Sequence, residues 1–187
     1  MKRRGFIKTG VAGIVAPAAL FSNDKKPIKS RMGKPIVIST WNHGLPANDA
    51  AMAVLKQNGS ALDAVEAGVR VPEADPESQS VGYGGRPDEE GHVTLDACIM
   101  DSAGNAGAVA FLEDIKHPIS VARKVMEQTD HVMLVGQGAK KFALAHGFKE
   151  EDLLTKKSRE EWLRWKEDNS IKAVSYTHLT LPTNREV

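Results

Sequence analysis

The residues with chemical reach in this chain are few and scattered. The single cysteine, Cys98, lies in the run Leu95-Asp96-Ala97-Cys98-Ile99-Met100. It reads as a small buried hydrophobe rather than a nucleophile, because no neighbouring residue type would lower its pKa. With one cysteine there is no intrachain disulfide. The six histidines are spread singly, and no His, Cys, Asp or Glu grouping has metal-ligand spacing, so the pattern calls for no metal and no cofactor. Gly82, Gly84 and Gly85 fit neither a dinucleotide fingerprint nor a P-loop, and no helix start follows them; they predict a tight structural turn. The eight threonines follow Lys8, Ser39, Val93, Gln128, Leu154, Tyr176, Leu179 and Pro182. Trp41 and Ser80 complete the set. By residue type alone Trp41 is an ordinary core tryptophan at a strand end. Ser80 is equally well read as a loop serine satisfied by backbone or as a hydroxyl placed to orient another group.

The chain around these residues has 187 positions, 41% of them hydrophobic, which suits one compact domain. Lys plus Arg number 25 against 24 Asp plus Glu, a net charge of +1, so no field of either sign recruits nucleic acid or an acidic membrane surface. Residues 1–23 join Lys2-Arg3-Arg4 and Gly5-Phe6-Ile7-Lys8 to the apolar run from Gly10 to Phe21. That is the arrangement of a twin-arginine-type export signal, and it predicts a periplasmic destination. The run falls short of the roughly 20 apolar residues needed to span a bilayer. Residues 24–33 are polar and Lys-rich and read as a linker. Residues 34–173 are the globular body. Residues 174–187 show no helical period, carry three threonines, and read as a non-native tail.

Within the body, Pro35 to Thr40 is β-branched and predicts a buried strand. Ala47 to Gln57 predicts a helix closed by Asn58-Gly59. Ser60, with Asp63 three residues later, opens a second helix with a capping box. Pro72 is expected to end or kink that helix. Asp75 to Glu90 reads as loop. His92–Met100 and Asn105–Phe111 predict paired strands about an Asp101–Asn105 turn. Pro118–Gln128 predicts a helix with proline near its start. A short strand over His131–Val135 and a helix over Gly138–His146, stopped by Gly147, follow. The last expected helix, Ser158–Asp168, carries a Ser158/Glu161 capping box. The alternation indicates an α/β (α+β) domain with helices stacked on a sheet.

Three stretches together resemble the glycosylasparaginases of the N-terminal-nucleophile hydrolase superfamily. They are Ile36 to Trp41, Gly59 to Glu66, and Ser80 through Asp88, resuming over Gly91 and Val93 to Asp101. Ile119–Val125 and His131–Gly136 agree as well. The resemblance implies a four-layer αββα sandwich, of which residues 34–173 are an incomplete, α-subunit-like part. It implies hydrolysis of the amide joining N-acetylglucosamine to an asparagine side chain. It also implies a precursor that cuts itself before a Thr in a His-Asp-Thr-Ile-Gly segment, giving two α and two β subunits. The chemistry explains the cut. A Thr hydroxyl needs a base beside it, and a free α-amine, with a pKa of roughly 7.7–8, is such a base where an amide is not. None of the eight threonines here follows an aspartate, so the expectation is a truncated chain without the nucleophile, inactive by itself and dependent on a missing β subunit. The resemblance places Trp41 against the substrate and Ser80 near the nucleophile's amine. Plain L-asparaginase or isoaspartyl peptidase activity, or a non-catalytic fragment needing a partner, are the alternatives.

Overall fold

The computed structural model describes residues 34–170; the expected export signal, the linker and the 174–187 tail lie outside the described residues. Eight elements follow one another: α1 (Gly44–Lys56), α2 (Ala61–Ala74), β1 (Thr94–Met100), β2 (Ala106–Glu113), α3 (Pro118–Gln128), β3 (Met133–Val135), α4 (Gly136–Ala145) and α5 (Lys156–Ser170). The expected α/β class is what folds.

Local signals set most of the boundaries. Ser60 and Asp63 form the capping box at α2: the Ser60 hydroxyl accepts from the Asp63 amide at 3.1 Å, and the Asp63 carboxylate accepts from the Ser60 amide at 3.2 Å. Pro72 falls in the last turn of α2, so the helix ends two residues beyond it instead of at it. Proline also occupies the first turn of α3, where its missing N–H would have had no partner. Asp101 Oδ1 accepts from Ala103 N and Asn105 N and closes the β1–β2 turn. One capping prediction was wrong. Helix α5 starts at Lys156, two residues before Ser158. Thr155 Oγ1 accepts from the Ser158 amide at 3.3 Å, Ser158 donates to the Gly84 carbonyl, and Glu161 accepts from Gln79. The helix therefore begins one cap earlier, and its serine is used to hold the preceding loop.

The sheet has the order β1-β2-β3, with β1 antiparallel and β3 parallel to β2. Helices α3 and α4 pack on one face over Ile99, Val109 and Leu112, which cluster with Ile119, Val125 and Ala143. The approach is close at Gly107, where a Cβ would sit 2.2 Å from the Ala122 carbonyl oxygen. The α1–α2 hairpin joins α3 through Arg123, which reaches Asp63 at 2.8 Å, Glu66 at 2.7 Å and Glu127 at 2.7 Å. The Ser60 hydroxyl, with Arg123 beside it, holds the Asp63 carboxyl down at about 2.

The opposite sheet face carries Cys98, Met100, Met133 and Val135, all exposed. This corrects the expectation of a buried cysteine. Ile99 takes the covered side of β1, so strand alternation turns Cys98 outward. The first predicted strand does not form either. Pro35 to Thr40 has no strand pairing, and Ile36 and Ile38 are 81% and 87% exposed. A β-branched run has the right shape for a strand, but its backbone groups need a neighbouring strand, and none of the described residues provides one.

Candidate functional site

The tip of α1, the end of α2, strand β1 and the start of α3 enclose a cavity of about 500 Å³. Trp41 and Ser80, separated by two helices in sequence, both line it, together with Glu73, Gly82, Asp96 and Cys98. The structure thus brings together the two residues singled out in the sequence.

Trp41 stands at the mouth of the turn into α1. Its carbonyl accepts from Gly44 N at 2.8 Å, and a Cβ on Gly44 would come within 2.3 Å of the Ser39 Cβ. Only glycine allows the chain to fold back this tightly. Ser39 is fixed in turn by donating its hydroxyl to Asn48. The indole itself is 73% exposed, not the core tryptophan its type suggests, and is free to present a flat apolar face to a ligand.

Ser80 rides on the loop between α2 and β1. At Gly82, φ is +61°, and a Cβ would lie 2.1 Å from the Glu73 carbonyl oxygen; Tyr83 N donates to that same oxygen at 2.8 Å. The glycine cluster is therefore the tight structural turn expected, pressed directly onto the end of α2.

Glu73 is the residue that sequence reasoning missed. Its side chain is 3% exposed. One carboxylate oxygen accepts from Ile119 N at 3.0 Å, and the other meets His117 Nδ1 at 3.1 Å. Burial pushes this carboxyl above its ordinary value, opposed by the His117 and Ile119 hydrogen bonds and by Arg70. Glu73 ties three parts of the cavity wall together: the end of α2, the start of α3 and, through its carbonyl, the Ser80 loop. The available signal was its place one helical turn after Val69 on a face that also carries Leu62, since both apolar residues pack against the core. An acid on that stripe must be buried and partnered.

Asp96 also borders the cavity. Its Oδ1 accepts from Phe111 N at 2.8 Å, across an irregularity in the β1–β2 register between Leu95 and Ala97. Among the described residues, no three His, Cys, Asp or Glu side chains gather as a metal-ligand set, and no helix is long and apolar enough to cross a membrane. The cavity is a mixed apolar and hydrogen-bonding recess of small-molecule size. Within it lies an exposed indole, a serine hydroxyl and a carboxyl held off from solvent.

Comparison with known proteins gives the same region a context. Residues 40–186 match the asparaginase family. Over 141 residues the chain is 62% identical to an N(4)-(beta-N-acetylglucosaminyl)-L-asparaginase of Elizabethkingia miricola, covering 75% of this chain and 42% of that protein. It is 50% identical over 133 residues to the proteins of the same name from Mus musculus and Rattus norvegicus, covering 69% of this chain and 38% of each relative. The chain thus spans about two-fifths of the length of the curated relatives it matches.

Proposed function

The chain belongs to the asparaginase family, and from that membership we propose that it forms the substrate-pocket part of an amidohydrolase acting on N(4)-(beta-N-acetylglucosaminyl)-L-asparagine. The single observation carrying this is the convergence of Trp41 and Ser80 on one cavity beside Glu73. The exposed indole of Trp41 packs the small aspartyl group and excludes water from one side. The Ser80 hydroxyl orients the attacking group's amine. The attacking group is an N-terminal threonine exposed by self-cleavage, contributed by a separate β subunit, with two copies of each subunit in the assembly. Its α-amine removes the hydroxyl proton, the alkoxide attacks the side-chain amide carbon, and the glycosylamine departs with that proton. Water then hydrolyses the aspartyl ester and regenerates the threonine. No threonine among these 187 residues follows an aspartate; the part these residues play in the proposed reaction is the pocket wall. The uncovered sheet face is where the second sheet of the sandwich seats. The basic start of the chain directs the product to the periplasm.

Glycosylated asparagine leads over plain asparagine or isoaspartyl dipeptides because the relatives named above carry the former in their names. The test compares three substrates: glycosylated asparagine, asparagine and a β-aspartyl dipeptide. Each is offered to the purified chain alone and to the chain co-expressed with a polypeptide bearing the N-terminal threonine. The expected result is no turnover alone and turnover of the glycosylated substrate by the pair, abolished by Trp41→Ala. Turnover by the chain alone, or preference of the pair for a β-aspartyl dipeptide, refutes the proposal.

A further inference from the structure

The Ser80 loop continues past the candidate site and runs along α5. The loop and helix bound a second cavity of about 570 Å³, with Arg86, Asp88, Glu161, Trp162 and Trp165 in its walls. A recess of about 680 Å³ lies between the two; it shares Ser80 with the candidate site and Arg86 with the second cavity. The walls therefore run without a break from Trp41 and Ser80 to the paired tryptophans.

We propose that this aromatic cavity binds carbohydrate, specifically a further N-acetylhexosamine unit of the glycan on the substrate's asparagine. The assignment rests on the amidohydrolase reading above, in which a sugar leaves the Trp41 cavity and must extend somewhere. Two features favour a sugar. Trp165 is 52% exposed and sits three residues from Trp162 on one helix. The electron-rich face of an indole attracts the weakly positive C–H groups on a pyranose face. Arg86 donates, and Asp88 and Glu161 accept, the mixed polarity that neutral hydroxyl groups require and a phosphate does not.

The platform is also fixed relative to the candidate site. Gln79, the neighbour of Ser80, donates to Glu161 at 2.6 Å. Ser158 donates to the Gly84 carbonyl at 2.5 Å, and Lys166 donates to the Glu89 carbonyl at 3.1 Å. The Trp162 ring abuts Gly91 so closely that a Cβ there would lie 3.0 Å from it. A ligand held at both ends meets one connected wall.

The test titrates the 187-residue chain with the β-1,4-linked disaccharide of N-acetylglucosamine, read by tryptophan fluorescence and calorimetry, with maltose as the comparison sugar. The expected result is saturable binding of the disaccharide, weakened about tenfold by Trp165→Ala. Trp165→Phe, which keeps an aromatic face, retains most of the affinity. Circular dichroism of each variant checks that the half-exposed Trp165 is dispensable for folding. Absence of saturable binding, equal binding of maltose, or affinity untouched by Trp165→Ala overturns the inference. A parallel titration with L-aspartate reports on the Trp41 cavity. Aspartate binding without disaccharide binding sinks the carbohydrate cavity alone. Disaccharide binding without aspartate binding supports it while counting against the amidohydrolase reading.

Discussion

Replacing Glu73 with alanine removes the acceptor of Ile119 N and the partner of His117 at once. The Ile119 amide is then a buried donor with nothing to bond, and the space left by the carboxyethyl stem is not refilled by the neighbouring backbone. An orphaned buried donor and the lost buried methylene together cost about 2–4 kcal/mol. Glutamine keeps a carbonyl for Ile119 N and the same shape, so Glu73→Gln costs only about 1 kcal/mol or less near neutral pH. The pH dependence separates the two effects. Burial raises the folded-state pKa of Glu73 above its ordinary 4.5. The folded chain therefore holds this proton more tightly than the unfolded chain. The corresponding stability is fully present below the unfolded value and is lost as pH rises through the raised one. Glutamine does not titrate, so the wild-type advantage over Glu73→Gln shrinks from about pH 4.5 upward. His117 and Arg70 face the same carboxyl, and repeating the series in a His117→Asn background tests the carboxyl without its imidazole partner. The assay is urea denaturation followed by circular dichroism across the acid-to-neutral range. A Glu73→Ala chain within about 0.5 kcal/mol of wild type, or a difference from Glu73→Gln that does not vary with pH, refutes the assignment of Glu73 as the buried tie of the cavity wall.

Gly82→Ala forces a Cβ into the Glu73 carbonyl at 2.1 Å on a backbone at φ +61°; left-handed strain alone is about 1–2 kcal/mol, so the urea midpoint drops by more than that strain predicts, whereas an unchanged midpoint means the loop does not rest on α2. Ser60→Ala removes the α2 cap and lowers stability by about 0.5–2 kcal/mol at neutral pH, measured by thermal unfolding. Because the Asp63 carboxyl is held at about 2, its share of the wild-type stability is present above the ordinary carboxylate pKa and is lost as pH falls through that depressed value; a Ser60→Ala penalty that stays constant through strong acid contradicts this. Cys98 is exposed on the uncovered sheet face, so iodoacetamide labels it fully in the native chain without denaturant, read by intact mass. Labelling that appears only after urea is added shows that face to be covered.

The elements that could be read in advance are those whose signals are local. The Ser60–Asp63 box, the proline at the start of α3 and the Asp101 turn each act within four residues, and each works in the fold as its chemistry requires. The readings that failed depended on what lies across the molecule. Cys98 looked buried because its neighbours are apolar, yet strand alternation decides its side, and the covering helices were not visible from the run itself. Glu73 was passed over because its partners, His117 and Ile119, lie more than forty positions away. The Ser158/Glu161 pair had the right spacing for a cap, but tertiary partners at Gly84 and Gln79 claimed both side chains.

Pro35 to Thr40 carries this furthest. Its pattern of Ile36, Val37 and Ile38 encodes a surface that fits a sheet, and strand propensity measures that fit more than any intrinsic backbone preference. A strand, unlike a helix, cannot satisfy its own N–H and C=O groups, so the pattern is a statement about a partner. Within the described residues the segment pairs with no strand, and Ile36 and Ile38 stand exposed. The same holds for Trp41, which follows it and stands open at the cavity mouth. The apolar residues at the mouth and the apolar residues on the open sheet face, Met100, Met133 and Val135, share one property: each is shaped for burial and left in solvent. Scattered exposed hydrophobes need no explanation, but under the function proposed above a strand-shaped run leading into an exposed tryptophan beside an open sheet face is where the second sheet would seat.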